Sequence, residues 1–509
     1  MPEKVLKKLN TYILPQWKVC FFTALFVGLF AHLYKITNWL VNWDSLVFRY
    51  DSQNMLALGR WFLPVVCSFS SFYDLPFLNG IIAIVFHALG AVCICKMLDV
   101  HKKITAGLIG ALIVSFPTVT SVMMYNYVAD GYSIAFFLSV LAALYMTKQK
   151  PKYLIASILI ALSTGIYQAY ITVTIMLVLL NLIDEMIFQN ASFRIVLKKA
   201  VHMLLSGLLG AVLYSIVLKV ILALFSVELL DYQGANAAVS LTNINLLSSL
   251  YVVKETFMKC FFDFSEGVNV YVALNIIVLI ITLVYYIKCM VENKLYKNAS
   301  NIFSLLILSI MLVFGAGALA FINADVDYHN LMLMGYSVFY LFFILIYERG
   351  RKYTAVKCWL VLITAIAIIL NQVVIANVSY HKAQIAYEKS YGVLIRIADR
   401  IEQTPGAENC DKILVIGALD NSEAYSVNLT PNMTGITDGY IIRADDEIVG
   451  QSVLCSSLND YCNKNYKFVS GEEKKQLSQR EDVKAMEKWP QKSCVAIVDD
   501  TIIIKLGKG

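Results

Sequence analysis

Charge is what this sequence has least of. Of 509 residues only 15% carry a charged side chain while 59% are hydrophobic, where soluble domains are roughly a quarter charged. That depletion excludes an ordinary soluble domain and points to a polytopic membrane protein. Chemistry-bearing motifs are scarce too. The eleven cysteines show neither CxxC nor Cys/His spacing, which argues against a structural zinc site. There is no Walker A loop, no HExxH, no nucleophile elbow and no GxGxxG opening a βαβ unit. ATP-driven transport, zinc proteolysis and nucleotide-sugar binding on a Rossmann domain therefore lose ground. A cleavable signal peptide is not evident either. Lys4, Lys7 and Lys8 precede an apolar run over residues 17–36, which is too long for a signal h-region and reads as a first span. Internal repeats and low-complexity linkers are also missing.

What charge there is lies unevenly. From Tyr380 onward there are 16 Lys/Arg and 19 Asp/Glu, which leaves 26 and 17 of the totals of 42 and 36 for the first 379 residues. The net excess of +6 thus belongs to the apolar part. Cytoplasmic loops collect Lys and Arg for topological reasons, so no nucleic-acid partner is implied. Apolar runs of about 20 residues, the length a bilayer demands, lie at 17–36, 75–98, 104–124, 131–147, 201–225, 269–290, 302–322, 331–347 and 358–378.

A longer block at 153–187 decides the topology. If it crosses twice, turning near Gly165-Ile166-Tyr167-Gln168, every basic loop falls on one side. These are the N-terminus and residues 96–103, 148–152, 194–199, 288–297 and 349–357, which together hold 19 Lys/Arg. The opposite loops hold four: Arg49, Arg60, Lys254 and Lys259. The positive-inside rule then predicts about eleven spans with a cytoplasmic N-terminus. The expected fold is an all-α polytopic membrane body over residues 1–379, followed by a small extracytoplasmic α/β domain over 380–509. That domain opens on an amphipathic pattern at 380–402, continues with a strand-like KILVIGAL, and ends on SCVAIVDDTIIIKL, which reads as a hairpin around Asp499-Asp500. Cys410, Cys455, Cys462 and Cys494 lie there, as disulfides or as free buried thiols.

Polar groups cluster on the predicted outer face. The first outer loop, NWDSLVFRYDSQNMLALGRW at 42–61, carries Asp44, Asp51, Arg49 and Arg60 among Trp43, Tyr50 and Trp61. A carboxylate near a membrane surface and among aromatics can remove a proton from a sugar hydroxyl. Asp44, the first acid after the first span, is the leading candidate, with Asp51 the alternative; a helix cap or an ion pair with Arg49 or Arg60 is the plainer reading. Arg60, at the membrane-proximal end of the loop, suits a lipid-linked phosphate, or a headgroup. On the same face lie Tyr125 and Asp130 in YNYVADGY, Tyr167 and Gln168 in STGIYQAY, and Asp325, Asp327 and His329 in NADVDYHN. Rings beside amides suit a sugar, although each residue alone is also explained by packing, and His329 by a helix cap. The opposite loops are basic and otherwise featureless. Trp17, Trp39 and Trp359 read as interfacial belt residues.

These stretches together carry a resemblance. The 42–61 loop, LPFLNGIIAIVFHALGA, YNYVADGY, LSTGIYQAYI and the terminal KWPQKSCVAIVDDTIIIKL resemble the bacterial Gtr-type integral-membrane glucosyltransferases, which decorate surface polysaccharides including O-antigens. The GRW end of the first loop and IYQAY are its most specific pieces. The resemblance implies a GT-C-like fold in the bacterial cytoplasmic membrane, with an acid in the first extracytoplasmic loop, here Asp44 or Asp51. It implies a polyprenyl-phosphate sugar donor, most simply undecaprenyl-phosphate glucose, and a cell-surface glycan acceptor. Relatives carry a tighter acidic pair, whereas here the acids stand seven residues apart.

The expected reaction is an inverting transfer. Asp44 or Asp51 acts as base; Arg60, with Arg49 or His329, holds the donor phosphate; Tyr125, Asp130, Tyr167 and Gln168 line the sugar pocket. No cofactor and no obligatory metal is expected, with Asp325 and Asp327 keeping a metal alternative open. The rival readings are an exporter or flippase of lipid-linked glycans, for which Lys219 within its span is the one candidate pathway charge, and a non-catalytic envelope scaffold.

Overall fold

A backbone that enters hydrocarbon has to satisfy its own hydrogen bonds, so long apolar runs fold as helices. The computed structural model, which describes residue 3 and residues 12–41, 43–47, 55–189, 191–230, 246–262, 269–322, 328–350, 355–419 and 449–507, is accordingly mostly helical. Arg49, Asp51, Asp325 and Asp327 lie outside the described residues. The chain divides into two compact units, one of Met1–Thr37 with Tyr50–Asn377, the other of Asn38–Arg49 with Val378–Gly509.

In the first unit and the helix that leaves it, seven described helices are long and apolar enough to cross a membrane: Pro15–Thr37, Pro76–Met97, Asn126–Thr147, Gln168–Phe188, Phe193–Phe225, Val270–Glu292 and Ala355–Glu402. An eighth arises if Lys103–Ser115 and Pro117–Met124, bent by 42°, count as one span. The bend has a local cause. Proline disfavours helical geometry in the residue before it, and Phe116 is extended at φ −58°, ψ 137°, with Pro117 opening the next helix. Against the expectation of about eleven spans, seven or eight helices among the described residues pass on length and composition. Tyr153–Ile166 and Ala299–Gly315 are apolar but shorter, and at 1.5 Å per residue such helices reach roughly 20–25 Å, short of a hydrocarbon core of about 30 Å.

The 153–187 block does break inside its suspected tetrapeptide. Helix Tyr153–Ile166 ends on an extended Tyr167 (φ −154°, ψ 118°), and a 3-10 turn at Gln168–Tyr170 leads into Ile171–Phe188. Within this unit Pro15–Thr37 packs on Lys103–Ser115 and Pro76–Met97, Pro76–Met97 on Asn126–Thr147, and that helix on Tyr153–Ile166. Small residues permit close approach: a Cβ on Gly28 would meet Ile84 at 2.8 Å. Helix Phe193–Phe225 turns Leu204, Leu208, Val212 and Ile216 outward, the exposed apolar face of a helix in lipid.

The second unit is α/β. Its sheet has the order β2-β1-β4-β3, with β1 (Lys412–Ile416) parallel to β2 (Lys467–Phe468) and to β4 (Thr501–Lys505), and β3 (Val495–Val498) antiparallel to β4. Asp499 and Asp500, both at positive φ, make the two-residue β3–β4 turn, the backbone geometry that matches hairpin twist. Alternate strand residues face two cores. Ile413, Val415, Ile502 and Ile504 pack with Leu394, Ile397, Leu454 and Leu458; Leu414, Ile416 and Ile503 pack with Val469, Leu477 and Val483. Val41 and Leu46, from the chain segment after the first span, are buried in the former cluster. Trp39, read from the sequence as an interfacial belt residue, packs against that same core. All four cysteines of this unit are free thiols.

Candidate active site

The break at Tyr167 leaves helix-end carbonyls that need donors. The end of the first loop supplies one: the Phe62 N–H donates to Gly165 O at 2.8 Å. The fit is close, since a Cβ on Gly165 would lie 2.6 Å from the Trp61 ring. Further bonds fix the same loop. Gln168 Nε2 donates to Leu58 O at 3.0 Å, and the Tyr214 hydroxyl donates to Gly59 O at 3.0 Å. Gly59 adopts φ +76°, and a Cβ there would lie 2.6 Å from that hydroxyl oxygen, so glycine is required on both counts. The GRW and IYQAY stretches, far apart in sequence, thus form one structure.

That structure aims Arg60. Its Nη1 donates to the Tyr132 hydroxyl at 3.1 Å, and its guanidinium carbon sits 4.9 Å above the Tyr167 ring. Tyr132 and Tyr167 are stacked at 4.6 Å and 14°, and Tyr170 meets Tyr167 edge-on at 5.9 Å. A ring face orients a cation through its quadrupole.

The other sequence candidates fall in three places. Tyr125 and His329 meet edge-on at 5.8 Å. His329 Nδ1 accepts the Leu331 N–H and so caps the 3-10 turn Asn330–Met332, which packs against the Gln168–Tyr170 turn. Asp130 is buried, 1% exposed, its Oδ1 accepting the Gly131 N–H at 2.9 Å and the Cys67 thiol at 3.6 Å. Burial, and then the Asp130 charge, push the Cys67 thiol well above its ordinary range. Asp130 therefore faces the short Leu63–Cys67 helix. Gln168 is engaged by the loop. Asp44 belongs to the second unit, on the short helix Trp43–Val47. Among the described residues no His/Cys/Asp/Glu group has the makings of a metal site.

Sequence reasoning missed Tyr132, which sat inside the quoted YNYVADGY, and Tyr214, a lone phenol in an apolar run that gave no signal. It also missed a polar network at one end of the first helices. Lys35 is fully buried with the Asp74 charge acting on it; Asn126 Nδ2 donates to Asp74 Oδ1 at 2.6 Å, and Asn79 Nδ2 to Asn126 O at 2.8 Å. The basic loops at 96–103 and 349–357 are not featureless either. Arg349 pairs with Asp184 through Nε–Oδ1 at 3.0 Å and Nη2–Oδ2 at 2.9 Å, and also donates to Leu98 O at 2.6 Å. Glu348 accepts the His101 N–H at 2.8 Å and the Lys102 N–H at 3.2 Å.

No curated protein and no solved structure matches the chain. A family model, Glucosyl transferase GtrII, does match, over residues 33–342. That stretch holds the Arg60 loop, Tyr132, the Tyr167 break, Tyr214 and His329 and is more than half of the whole, so the chain belongs to the GtrII glucosyl transferase family.

Proposed function

We propose that this glycosyltransferase moves a hexose, most simply glucose, from a polyprenyl-phosphate donor to a cell-surface polysaccharide by inverting displacement. The carrying observation is the guanidinium of Arg60, fixed over the Tyr167–Tyr132 stack by the end of the first loop. A positioned cation suits the charge that grows on a departing phosphate. In the reaction, Asp44, or Asp51, takes the proton of the acceptor hydroxyl. The freed oxygen bonds to the anomeric carbon from the face opposite the phosphate, and the bond from that carbon to the phosphate oxygen breaks. Polyprenyl phosphate leaves with the electron pair, stabilised by Arg60 with Arg49 or His329. Tyr125 and Tyr167 line the sugar pocket. Gln168 and Asp130, engaged with Leu58 O and Cys67, serve it by positioning the loop and the Leu63–Cys67 helix. The reading sets the site and the C-terminal unit outside the cytoplasmic membrane and the N-terminus inside, in a GT-C-like body of about eleven crossings, counting the shorter helices.

The charge on which the exporter reading leaned, Lys219, is exposed on its helix rather than turned inward. The test is transfer from purified undecaprenyl-phosphate glucose by the protein in nanodiscs. Asp44→Asn or Asp51→Asn abolishes transfer at normal expression, and Arg60→Ala lowers it at least ~100-fold. Unchanged transfer in all three variants, or movement of lipid-linked glycan across vesicles without transfer, would overturn the proposal.

A further inference from the structure

The second unit carries more than the sheet. Its Trp43–Val47 helix, which bears Asp44, packs on helix Val449–Tyr461, and Val41 and Leu46 tie it to the core. Beside it runs a row of aromatic rings. Trp39 lies 6.2 Å from Tyr461, Tyr461 meets Tyr391 edge-on at 5.7 Å, and Tyr391 stacks on Tyr387 at 6.1 Å and 15°. Packing explains Trp39, Tyr387 and Tyr461, which are partly buried against the core. It does not explain Tyr391, which lies outside that core and is 36% exposed.

Tyr387 and Tyr391 share a helix face with Gln384 and Glu388, as a 3.6-residue period requires, and Gln384 Nε2 donates to Glu388 Oε1 at 2.7 Å in the open. A supported ring edged by an amide and a carboxylate is what a pyranose needs: a ring for its C–H face, and acceptors and donors for its hydroxyls. The family match ends at residue 342, so the Tyr387–Tyr461 part of this surface belongs to the stretch outside it.

We propose that this aromatic face of the second unit binds the acceptor glycan, one hexopyranose of the acceptor stacking on Tyr391 on the unit that also carries Asp44. The inference rests on the transferase reading and gives the C-terminal unit a task in it. The experiment uses the full-length protein in nanodiscs, with undecaprenyl-phosphate glucose as donor and delipidated surface polysaccharide of the producing cells as acceptor. Tyr391→Ala raises the KM for polysaccharide by ~10-fold, leaves the KM for donor unchanged and keeps the protein's thermal stability; Tyr391→Phe behaves as wild type. An unchanged acceptor KM in Tyr391→Ala, with normal wild-type transfer, overturns the platform and leaves the transferase reading standing. If that variant instead raises the KM for donor at unchanged acceptor KM, the ring serves the lipid-linked side and the platform also falls. Absence of any transfer by the wild type would sink the reading and the platform together.

Discussion

One helix, Ile171–Phe188, separates two regions that hold an arginine by different means. At its start, beyond the Gln168–Tyr170 turn, Tyr167 lies under Arg60 and the Tyr132 hydroxyl accepts a hydrogen bond from it. Near its end, Asp184 grips Arg349 through two parallel hydrogen bonds, while Leu98 O takes a third. Next to it Glu185 pairs with Lys199 at 2.6 Å. A carboxylate cancels a guanidinium and ties helices together. A phenol stack orients one through its ring face. On the proposed reading, the difference separates a region that holds the fold from one that meets the donor phosphate.

The comparison breaks most sharply on the two arginines. Arg60→Ala is expected to cut transfer by two orders of magnitude or more, with a thermal midpoint close to wild type. Arg349→Ala is expected to do the reverse. It strands the buried Asp184 carboxylate, at a cost of about 3–5 kcal/mol, and lowers the midpoint while the surviving protein keeps its KM for donor. Adding Asp184→Asn to Arg349→Ala should recover part of the loss, because the two residues couple. Equal loss of stability in both single variants would erase the distinction. Glycine substitution at the loop gives a smaller effect. In Gly165→Ala the new methyl enters the Trp61 ring position, so Arg60 shifts from its stack and transfer falls ~10- to 100-fold. Gln168→Ala, which loses the bonds to Leu58 O and to the Tyr214 hydroxyl, should cost a few-fold.

How much of this could be read beforehand depended on the range of the forces. The break at Tyr167 was legible because a block of that length cannot be one ordinary span, and the β3–β4 hairpin because its turn chemistry is local. The kink at Phe116 was missed although its cause, Pro117, was in view; apolar character ran straight through it and outweighed the backbone signal. The long helix Ala355–Glu402 was read as a span and a separate amphipathic helix because the apolar run stops near residue 378, although no proline divides the two. Pairings across the fold left no mark at all. Nothing in GRW names IYQAY as its partner, Arg349 counted as a topological charge until Asp184 was seen beside it, and Val41 and Leu46 gave no hint of a core made by residues some 350 positions on.

The smallest effect expected on the structural side comes from Glu348, and it tests whether that region is structural throughout. Its carboxylate accepts the His101 and Lys102 N–H groups just ahead of helix Lys103–Ser115, and the Thr105 hydroxyl within its first turn. An anion there meets orphan N–H groups and the positive end of the helix dipole together. Glu348→Gln keeps a carbonyl oxygen for the two N–H donors, and the Thr105 hydroxyl can turn to accept from the new amide. What remains lost is the charge, worth about 0.3–1 kcal/mol at a helix start. The thermal midpoint should therefore fall slightly, with kcat and both KM values at wild type. A change in either KM without a change in midpoint would mean that the ion-pair region reaches the sugar chemistry, and the division drawn between the two arginines would not hold.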